Sequence, residues 1–332
     1  MENNLHSIPW ARKLKLRHLE VFLVLHETGG ITSAAARLHM TQPALSHWLA
    51  DLESVVGHPL FLRNRRLELT EAGEVLRSHA LRMLGDVQRT NAELKAVEAG
   101  LQGRLCVGSG LPRVLLPNAI ARFQEARPGV FVSVVEAPFA TLLDMLANRR
   151  IDVIIGALGT QALESEFATE ALIADSIQIV AHLGHPCLKT LTPRWSDVLD
   201  HPWILPPSGS EMRSIFDASF AARHLCPPMP RVEAGSSIRA QLLMGRSNYL
   251  STLLNSELQL YESFGLRNVY LEPAIRFPDI GAIWDAGRAG AAVLHFLEAL
   301  RAASRMLGSA LEPNTRCAPS DSEANGRSAN RS

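Results

Sequence analysis

The chain has 332 residues, 47% of them hydrophobic, and its 33 basic and 33 acidic residues leave a formal net charge of zero. This length suffices for two or three domains with buried cores. No apolar run approaches the ~20 residues that a transmembrane helix requires. No signal peptide precedes the four cysteines, which have no CxxC spacing, so we expect a cytoplasmic protein with reduced thiols and no membrane partner.

The predicted elements begin with two short helices. A stripe of large apolar side chains predicts the first helix: Leu16, Leu19, Phe22 and Leu23. Gly29 and Gly30 end that helix because glycine tolerates the left-handed conformation. Thr32 or Ser33 is the predicted N-cap of the second helix, and the alanines at 34–36 keep this helix thin.

The third predicted helix has one apolar and one short polar face. Thr41 is its predicted N-cap, and Pro43 lies in the first turn, where its missing N–H costs nothing. The apolar face consists of Leu45, Leu49, Leu52 and Val56, and the opposite face of Gln42, Pro43, Ser46, His47 and Ala50. Such a slim face fits the major groove of DNA, where Gln42 can bond adenine. The alternative is an ordinary αα-hairpin with a polar outer face.

Residues 59–69 predict two short strands around a basic turn. This wing places Arg63, Arg65 and Arg66 near phosphates or a minor groove, although a solvated basic hairpin is the alternative. Residues 1–66 contain eight Lys or Arg and five Asp or Glu. Because this surplus is modest, we expect oligomerisation to supply much of the DNA affinity.

Three motifs in this region resemble the winged helix-turn-helix of LysR-type transcriptional regulators. They are A-A-A-R-L-H-M-T-Q-P-A-L-S at 34–46, L-x-x-L-E at 49–53, and L-F-x-R…L-T-x-A-G between 60 and 73. The resemblance extends roughly through residue 306. It implies an α+β multidomain protein with a DNA-binding domain, a dimerising linker helix and a two-lobed α/β effector domain similar to periplasmic binding proteins.

The resemblance also implies partners and contact residues. The partners are double-stranded promoter DNA, a small-molecule effector, further copies of the chain in a homodimer or homotetramer, and RNA polymerase. Motif positions imply DNA contacts by Gln42, Pro43, Ser46 and Arg63. The full set of candidate DNA contacts is Ser33, Thr41, Gln42, Pro43, Ser46, His47, Arg63, Arg65 and Arg66. His47 and Trp48 replace the polar residues common in the family, and Trp48 is predicted to pack on the first helix or a phosphate.

Residues 71–98 predict one long amphipathic helix. Its apolar residues recur at near-heptad spacing: Val75, Leu76, His79, Met83, Leu84, Val87, Leu94 and Val97. At 1.5 Å per residue the helix is about 40 Å long, which favours pairing with an antiparallel helix of a second subunit. The alternative is packing on the chain's own effector domain. Gly100 and Gly103 then provide a hinge.

From Arg104 onward the pattern changes to apolar strands alternating with helices. Strands over 104–110, 130–137 and 152–158, with helices over 112–126 and 139–149, predict a parallel sheet. Further strands are predicted at 176–182, 203–206, 231–234, 249–253 and 277–284, and further helices at 210–224, 237–246, 256–263 and 288–306.

These elements predict two lobes, joined by crossovers near Ala174–Asp175 and Glu272–Pro273. The predicted domains are 1–70 for DNA binding, 71–102 for the linker, and 103–307 for effector binding. Lobe I comprises 103–174 and 273–307, lobe II comprises 175–272, and 308–332 form a disordered tail.

The carboxyl ends of the strands predict the effector site, because helix N-termini there present free N–H groups. The candidate residues are Ser109, Pro138, Phe139, Gly156, Leu158, Ser208, Ser236 and Ser237. Each serine taken singly is more simply a helix N-cap. Together, and with the resemblance, they predict a site between the lobes for a small carboxylate or sugar. No cofactor is expected.

Motifs that would indicate other functional classes are absent or incomplete. No complete GxGxxG, GxSxG, HExxH or P-loop motif occurs, so we expect no enzyme. A solute-binding protein requires a secretion signal, and residues 1–17 have no apolar core. A winged helix used only for protein contacts stays an alternative. His182, His185 and Cys187 resemble a small metal cluster, but their loose spacing favours a turn, so no metal is expected.

Overall fold

The structure is a computed structural model and describes residues 13–63, 66–110, 114–190, 193–245 and 248–311, with the backbone alone at 63 and 308–311. The predicted wing turn at 64–65 and most of the predicted tail, residues 312–332, lie outside the described residues. Contacts divide the chain into two compact units, which separate at Ala174/Asp175, Phe277/Pro278 and Leu300/Arg301. Each unit is described by itself.

The first unit begins with three helices and a two-stranded wing. The elements are α1 (Leu16–Thr28), α2 (Ile31–Arg37), α3 (Gln42–Val56), β1 (Phe61–Arg63) and β2 (Leu67–Leu69). Their shared core contains Leu19, Phe22, Leu45, Leu49 and Leu52, as the apolar stripes predict. Leu16 is 41% exposed, so it lies outside the buried stripe to which it was assigned.

A single long helix, α4 (Glu71–Glu98), follows the wing. Thr70 caps it by accepting a hydrogen bond from the N–H of Gly73 at 3.0 Å and donates one to the carbonyl of Pro59 at 2.7 Å. The acidic first turn, with Glu71 and Glu74, complements the helix dipole. The predicted helix is therefore confirmed over its whole length.

A mixed five-stranded sheet completes the first unit. In chain order its elements are β3 (Gly103–Ser109), α5 (Leu115–Ala126), β4 (Val130–Glu136), α6 (Phe139–Ala147), β5 (Val153–Ala157), α7 (Thr160–Leu163) and β6 (Ala168–Ile173). The strand order is β4-β3-β5-β13-β6, where β13 is Ile280–Trp284. The strands β4, β3 and β5 are parallel, as the βαβαβ pattern predicts, whereas β13 runs antiparallel between β5 and β6.

The second unit contains another mixed sheet, of order β11-β7-β10-β8-β9, with β12 also paired to β7. Its elements are β7 (Ser176–His182), β8 (Trp203–Leu205), α8 (Glu211–Ala221), β9 (Pro230–Glu233), α9 (Ser236–Met244), β10 (Leu250–Leu254), α10 (Asn255–Leu258), β11 (Leu266–Asn268) and β12 (Ile275–Arg276). The strands β8, β9 and β10 are parallel, and β7 is antiparallel to β10.

Several short elements and one helix end differ from the predictions. The strand β6 and the helix α7 were not predicted, because neither has a clear apolar period. The predicted helix over 256–263 is a single turn, α10, followed by a 3₁₀ helix over Gln259–Phe264. The last helix, α11 (Ala291–Leu311), continues four residues into the predicted tail. No described helix has the length and hydropathy needed to span a bilayer.

Candidate DNA-binding surface and effector-binding residues

The N-terminal half of α3 carries an exposed face of short polar side chains. Thr41 caps the helix by accepting the N–H of Ala44 at 3.4 Å, and the preceding turn passes through His39 in the left-handed conformation. The exposed residues are Gln42, Pro43, Ser46, His47 and Ala50, and the buried ones are Leu45, Leu49 and Leu52. The predicted division of the helix into two faces is therefore confirmed.

Two side chains further along α3 are held by neighbours. Trp48 packs edge-on against the His18 ring of α1, with ring centroids 5.3 Å apart, which confirms its predicted contact with the first helix. Burial, with a smaller contribution from Lys15, lowers the pKa of His18, so this ring stays neutral at pH 7. His47 lies 3.4 Å from the carboxylate of Asp51 and remains exposed.

The predicted cap of α2 is wrong. The helix begins at Ile31, and its N-cap is Gly30, which has no side chain to accept a hydrogen bond. Ser33 is the third helical residue, and its exposed hydroxyl donates to the carbonyl of Gly30 at 2.9 Å. Thr32 is exposed within the first turn. The two glycines therefore form the whole junction, Gly29 closing α1 with φ +64° and Gly30 opening α2.

The wing is fixed to the helical core through backbone hydrogen bonds. The N–H of Leu67 donates to the carbonyl of Gly29 at 3.0 Å, and the Glu53 carboxylate accepts the N–H of Leu60 at 2.7 Å. Arg66 is exposed and lies beside Gly29, where an added Cβ would come within 3.1 Å of its Nε. Arg65 and the side chain of Arg63 lie outside the described residues.

One side of α4 packs against the first α/β lobe of the same unit. Asp86 pairs with Arg149, and Arg89 pairs with Asp152 at 2.8 Å. A Cβ on Gly85 would overlap the carbonyl oxygen of Asn148. The helix therefore does pack on its own effector domain, yet four apolar side chains stay at least 42% exposed: Val75, Val87, Leu94 and Val97. Packing on the chain's own lobe is therefore confirmed for one face of α4, and pairing of the exposed face with a second subunit stays a prediction.

In the first α/β lobe, the structure brings together three of the predicted effector residues at the carboxyl ends of β3, β4 and β5. Ser109 is half-buried where β3 ends. The Phe139 ring lies close to Gly156, where an added Cβ would be 3.7 Å from it. Pro138 is exposed and caps α6. Leu158 is only 9% exposed and belongs to the hydrophobic core, so its side chain is not a ligand-facing group.

In the second unit, the serines do not act as the simple N-caps considered above. Ser208 donates to the carboxylate of Glu233 at 3.2 Å, and the cap of α8 is Ser210. Arg213 pairs with the same carboxylate at 2.9 Å and holds the pKa of Glu233 below its usual range. The cap of α9 is Gly235, so Ser236, buried, and Ser237, half-buried, are the first two helical residues.

A buried arginine that the sequence pattern does not reveal lies at this end of the sheet. Arg239, on α9, is 2% exposed and donates to the carbonyls of Ala234 at 2.7 Å and Thr252 at 3.0 Å. These partners lie at the end of β9 and within β10, so the guanidinium places positive charge near the carboxyl ends of these strands. The only sequence signal was a basic residue within an otherwise apolar helical face.

A carboxylate that was also missed anchors the start of β7. Asp175 accepts hydrogen bonds from the Ser256 hydroxyl at 2.6 Å and from the N–H of Ser176 at 2.8 Å. Burial raises the pKa of Asp175, and these hydrogen bonds offset only part of that effect. The contact spans 81 residues of sequence, which no local pattern predicts.

The second unit also contains a large groove that is separate from the predicted effector residues. Its volume is about 1430 Å³, and its walls include Gln178, Trp195, Tyr270 and Glu272. None of the predicted effector residues lines it. The strand-end residues and this groove are therefore separate features.

A winged helix-turn-helix that is followed by a long helix and two α/β lobes defines a transcription regulator with a ligand-binding domain. Residues 16–74 match the family described as the bacterial regulatory helix-turn-helix protein, lysR family, and residues 98–305 match the LysR substrate binding domain. The chain belongs to the LysR family of transcriptional regulators. Its members are DNA-binding regulators rather than enzymes.

Named relatives agree with this assignment. The chain is 34% identical over 247 residues to the transcriptional regulator GalR of Pseudomonas putida, covering 73% of this chain and 62% of GalR. It is 30% identical to GbpR of Azospirillum brasilense, covering 78% of each chain. The structure of CbnR complexed with its target DNA has a TM-score of 0.60 at 20% identity, covering 87% of this chain and all of that one. Full-length BenM has a TM-score of 0.52 at 21% identity, covering 89% and 98%. These two structures show the shared fold.

Proposed function

We propose that the chain controls promoters by inserting the N-terminal half of α3 into the major groove of double-stranded DNA. One observation carries this proposal: α3 exposes Gln42, Pro43 and Ser46 on one face and buries a stripe of leucines on the other. These side chains are short, so the helix axis can come close to the base edges. Gln42 is the residue chemically suited to bond adenine.

Other predicted contacts are assigned to the DNA backbone. Ser33, Thr41 and His47 have exposed groups that can bond phosphate oxygens, and Arg66 adds charge from the wing. The resemblance assigns a DNA contact to Arg63, and the basic turn of the wing favours the same for Arg65. Contacts of this type set position and orientation, whereas Gln42 and Ser46 contribute sequence preference. DNA as the partner also favours a cytoplasmic location.

The proposed DNA-binding species is a homodimer or homotetramer. The exposed residues Val75, Val87, Leu94 and Val97 form an apolar stripe on α4 that a second subunit would cover. Two winged helices then contact half-sites about one DNA turn apart. Multivalency compensates for the small surplus of positive charge in the DNA-binding region.

A gel-shift titration on DNA upstream of the chain's own gene tests this proposal. Gln42→Ala with Ser46→Ala should weaken specific binding by roughly tenfold to a hundredfold, because a good base contact contributes about 1–3 kcal/mol. Ser54→Ala is the matched control, since Ser54 is exposed near the other end of the same helix. Equal shifts for the double variant and the control would refute the assigned face.

The proposed effector is a small carboxylate or a sugar, bound at the carboxyl ends of the strands. Phe139 and Gly156 offer an apolar contact beside Ser109 in the first unit. In the second, Ser208 lies two residues before the cap of α8, Ser237 lies in the first turn of α9, and Arg239 on the same helix favours an anion. Effector binding would change how subunits pack, and with it DNA bending and the contact with RNA polymerase.

A thermal-shift screen of the full chain with small carboxylates and neutral sugars tests the effector class. A stabilising compound should lose most of its effect in Phe139→Ala and in Ser237→Ala. Ser219→Ala, in α8, is the control because, within the part of the chain that the structure describes, its hydroxyl donates to the carbonyl of Ile215 in the same helix. If a compound stabilises all three variants equally, the proposed residues are wrong.

A further inference from the structure

The second unit contains a cluster of nitrogen and sulfur ligands that the regulator function does not use. His185, Cys187 and His201 each offer a donor atom, and these atoms all lie within 4.8 Å of one another. We propose that these three side chains bind a zinc ion. His182, which local spacing had grouped with His185 and Cys187, is not a member of this cluster.

Sheet topology explains why residues distant in sequence meet. Leu250, at the start of β10, pairs with Ala181 near the end of β7 and with Trp203 at the start of β8. The turn that follows β7 and the loop that precedes β8 therefore lie at the same edge of the sheet. The first carries His185 and Cys187, and the second carries His201. This edge is opposite the carboxyl ends of β8, β9 and β10, where the predicted effector residues lie.

The ligand types and their burial suit a zinc site. His185 is fully buried, its ring centroid is 4.6 Å from that of His201, and Cys187 is 6% exposed. Mixed cysteine and histidine ligands are typical of zinc, at about 2.0–2.3 Å from the ion. Ligand atoms around one ion are then roughly 3.3–3.8 Å apart, so a contraction of about 1 Å at the widest pair completes the site. The half-buried His201 provides access to solvent and to a water molecule as the fourth ligand.

The bonding of His185 identifies which nitrogen would hold the ion. Its Nδ1 accepts the N–H of Cys187 at 3.1 Å, so Nδ1 carries the lone pair of the neutral ring, and zinc bound at Nδ1 would replace this hydrogen bond. Nε2 then keeps its proton and makes no well-formed hydrogen bond among the described residues, although the backbone of Asn248 lies close enough to interact with the ring. Metal-bound histidines usually donate the second N–H to a carbonyl or carboxylate, and the backbone of Asn248 is the neighbouring group suited to that role.

Neighbouring charge favours a cation at this position. The carboxylate of Asp197 lies close enough to Cys187 to interact with it electrostatically. Zinc binding displaces the thiol proton, leaving a thiolate–zinc bond with a net charge of +1. Asp197 counters that charge in part, although Arg194 already forms an ion pair with it at 3.1 Å.

The test uses the full chain after treatment with a chelator and dialysis. Zinc binding is measured by calorimetry, and Co²⁺ is added as a spectroscopic probe because thiolate coordination produces a charge-transfer absorption band. Cys187→Ser and His201→Gln should each weaken zinc binding at least tenfold, and Cys187→Ser should lose the band. Cys226→Ser and His224→Gln are matched controls, since both residues are exposed in the same unit.

Each possible result either supports the zinc site or overturns it. A Co²⁺ band present in the unmodified chain and in both controls, but absent in Cys187→Ser, supports the site. A chain that shows no such band, or zinc affinities that are equal in His201→Gln and His224→Gln, overturns it. Circular dichroism shows whether Cys187→Ser folds. If it does not, His201→Gln still tests the site, because His201 is only half-buried and its substitution should leave the fold intact. Neither result bears on DNA binding, which the gel-shift experiment tests separately.

Discussion

The DNA-binding region and the ligand-binding region use burial in opposite ways. On α3 the proposed functional side chains are exposed, and only the leucines beneath them are packed. In the second unit the polar groups near the strand ends include the buried Arg239 and the half-buried Asp175, both held by hydrogen bonds. Surface substitutions should therefore change DNA recognition without unfolding the first region, whereas polar substitutions in the second should affect stability and ligand binding together.

The largest expected effect comes from the backbone contact that holds the wing. A Cβ added to Gly73 would overlap the carbonyl oxygen of Leu60, a backbone atom that cannot rotate away. Gly73→Ala should therefore destabilise the winged helix by about 3 kcal/mol. Hydrogen–deuterium exchange of peptides from α1 and α3 measures this locally, and the DNA gel-shift should be lost with it.

Gly103→Ala provides the control for that substitution. A Cβ at Gly103 meets nothing within 4 Å, so exchange rates in α1 and α3 should be unchanged. Because β7 and β10 belong to the second unit, Gly73→Ala should leave their peptides as well protected from exchange as in the unmodified chain. Similar exchange for the two glycine variants would show that the wing junction is not closely packed.

The next effect concerns the apolar stripe on α4. Leu94 and Val97 are 59% and 70% exposed, and a second subunit would bury them. Leu94→Lys with Val97→Lys should shift sedimentation toward the monomer and weaken DNA binding about tenfold to a hundredfold, because two linked sites become one. Gln88→Lys adds a charge on the opposite side of the helix and should change neither. A double variant that sediments like the unmodified chain would contradict dimerisation through this face.

A smaller effect is expected where α4 meets the first α/β lobe. Arg89 is 40% exposed and pairs with Asp152, whose other oxygen accepts the N–H of Cys106 at 2.7 Å. A double-mutant cycle with Arg89→Gln and Asp152→Asn should give a coupling of about 0.5–1 kcal/mol, since solvent screens a partly exposed pair. The matched cycle between Arg89 and Glu93, within the helix, should give only about 0.3–0.5 kcal/mol. If the helix pair couples more strongly, the contact with the lobe contributes little.

The same contrast explains which residues sequence analysis identified. The exposed and buried faces of α3 follow from spacings of three and four residues, so Gln42, Ser46 and Leu45 were assigned correctly. Most strands from β3 to β10 were found because each has a short apolar run. Arg239, Asp175 and His201 were missed because their partners come from other elements, and only the sheet order brings those elements together. The cap of α2 was misassigned because Thr32 and Ser33 can cap with a side-chain oxygen, whereas Gly30, also a common N-cap residue, opens the helix without one.

The smallest effect tests the buried polar network through its pH dependence. Burial raises the pKa of Asp175 in the folded chain above the ordinary carboxyl value. Between these two pKa values the folded chain binds more protons than the unfolded one, so its stability falls as the pH rises through that interval. Asp175→Asn removes this titration. The unfolding free energy of the unmodified chain relative to this variant should therefore decrease from pH 4 upward, as measured by urea denaturation at fixed pH steps.

Glu233 provides a control of opposite sign in the same unit. Arg213 lowers the pKa of Glu233, so the stabilisation from this carboxylate is present above the ordinary pKa and is lost as the pH falls. Relative to Glu233→Gln, the unmodified chain should therefore become more stable as the pH rises toward 4.5 and change little above it, by a small amount because Glu233 is exposed. Opposite slopes for the two variants would show that burial governs Asp175 and that ion pairing governs Glu233. Parallel slopes would mean that the strand-end network is as well solvated as the surface of α3, and the contrast between the two regions would fail.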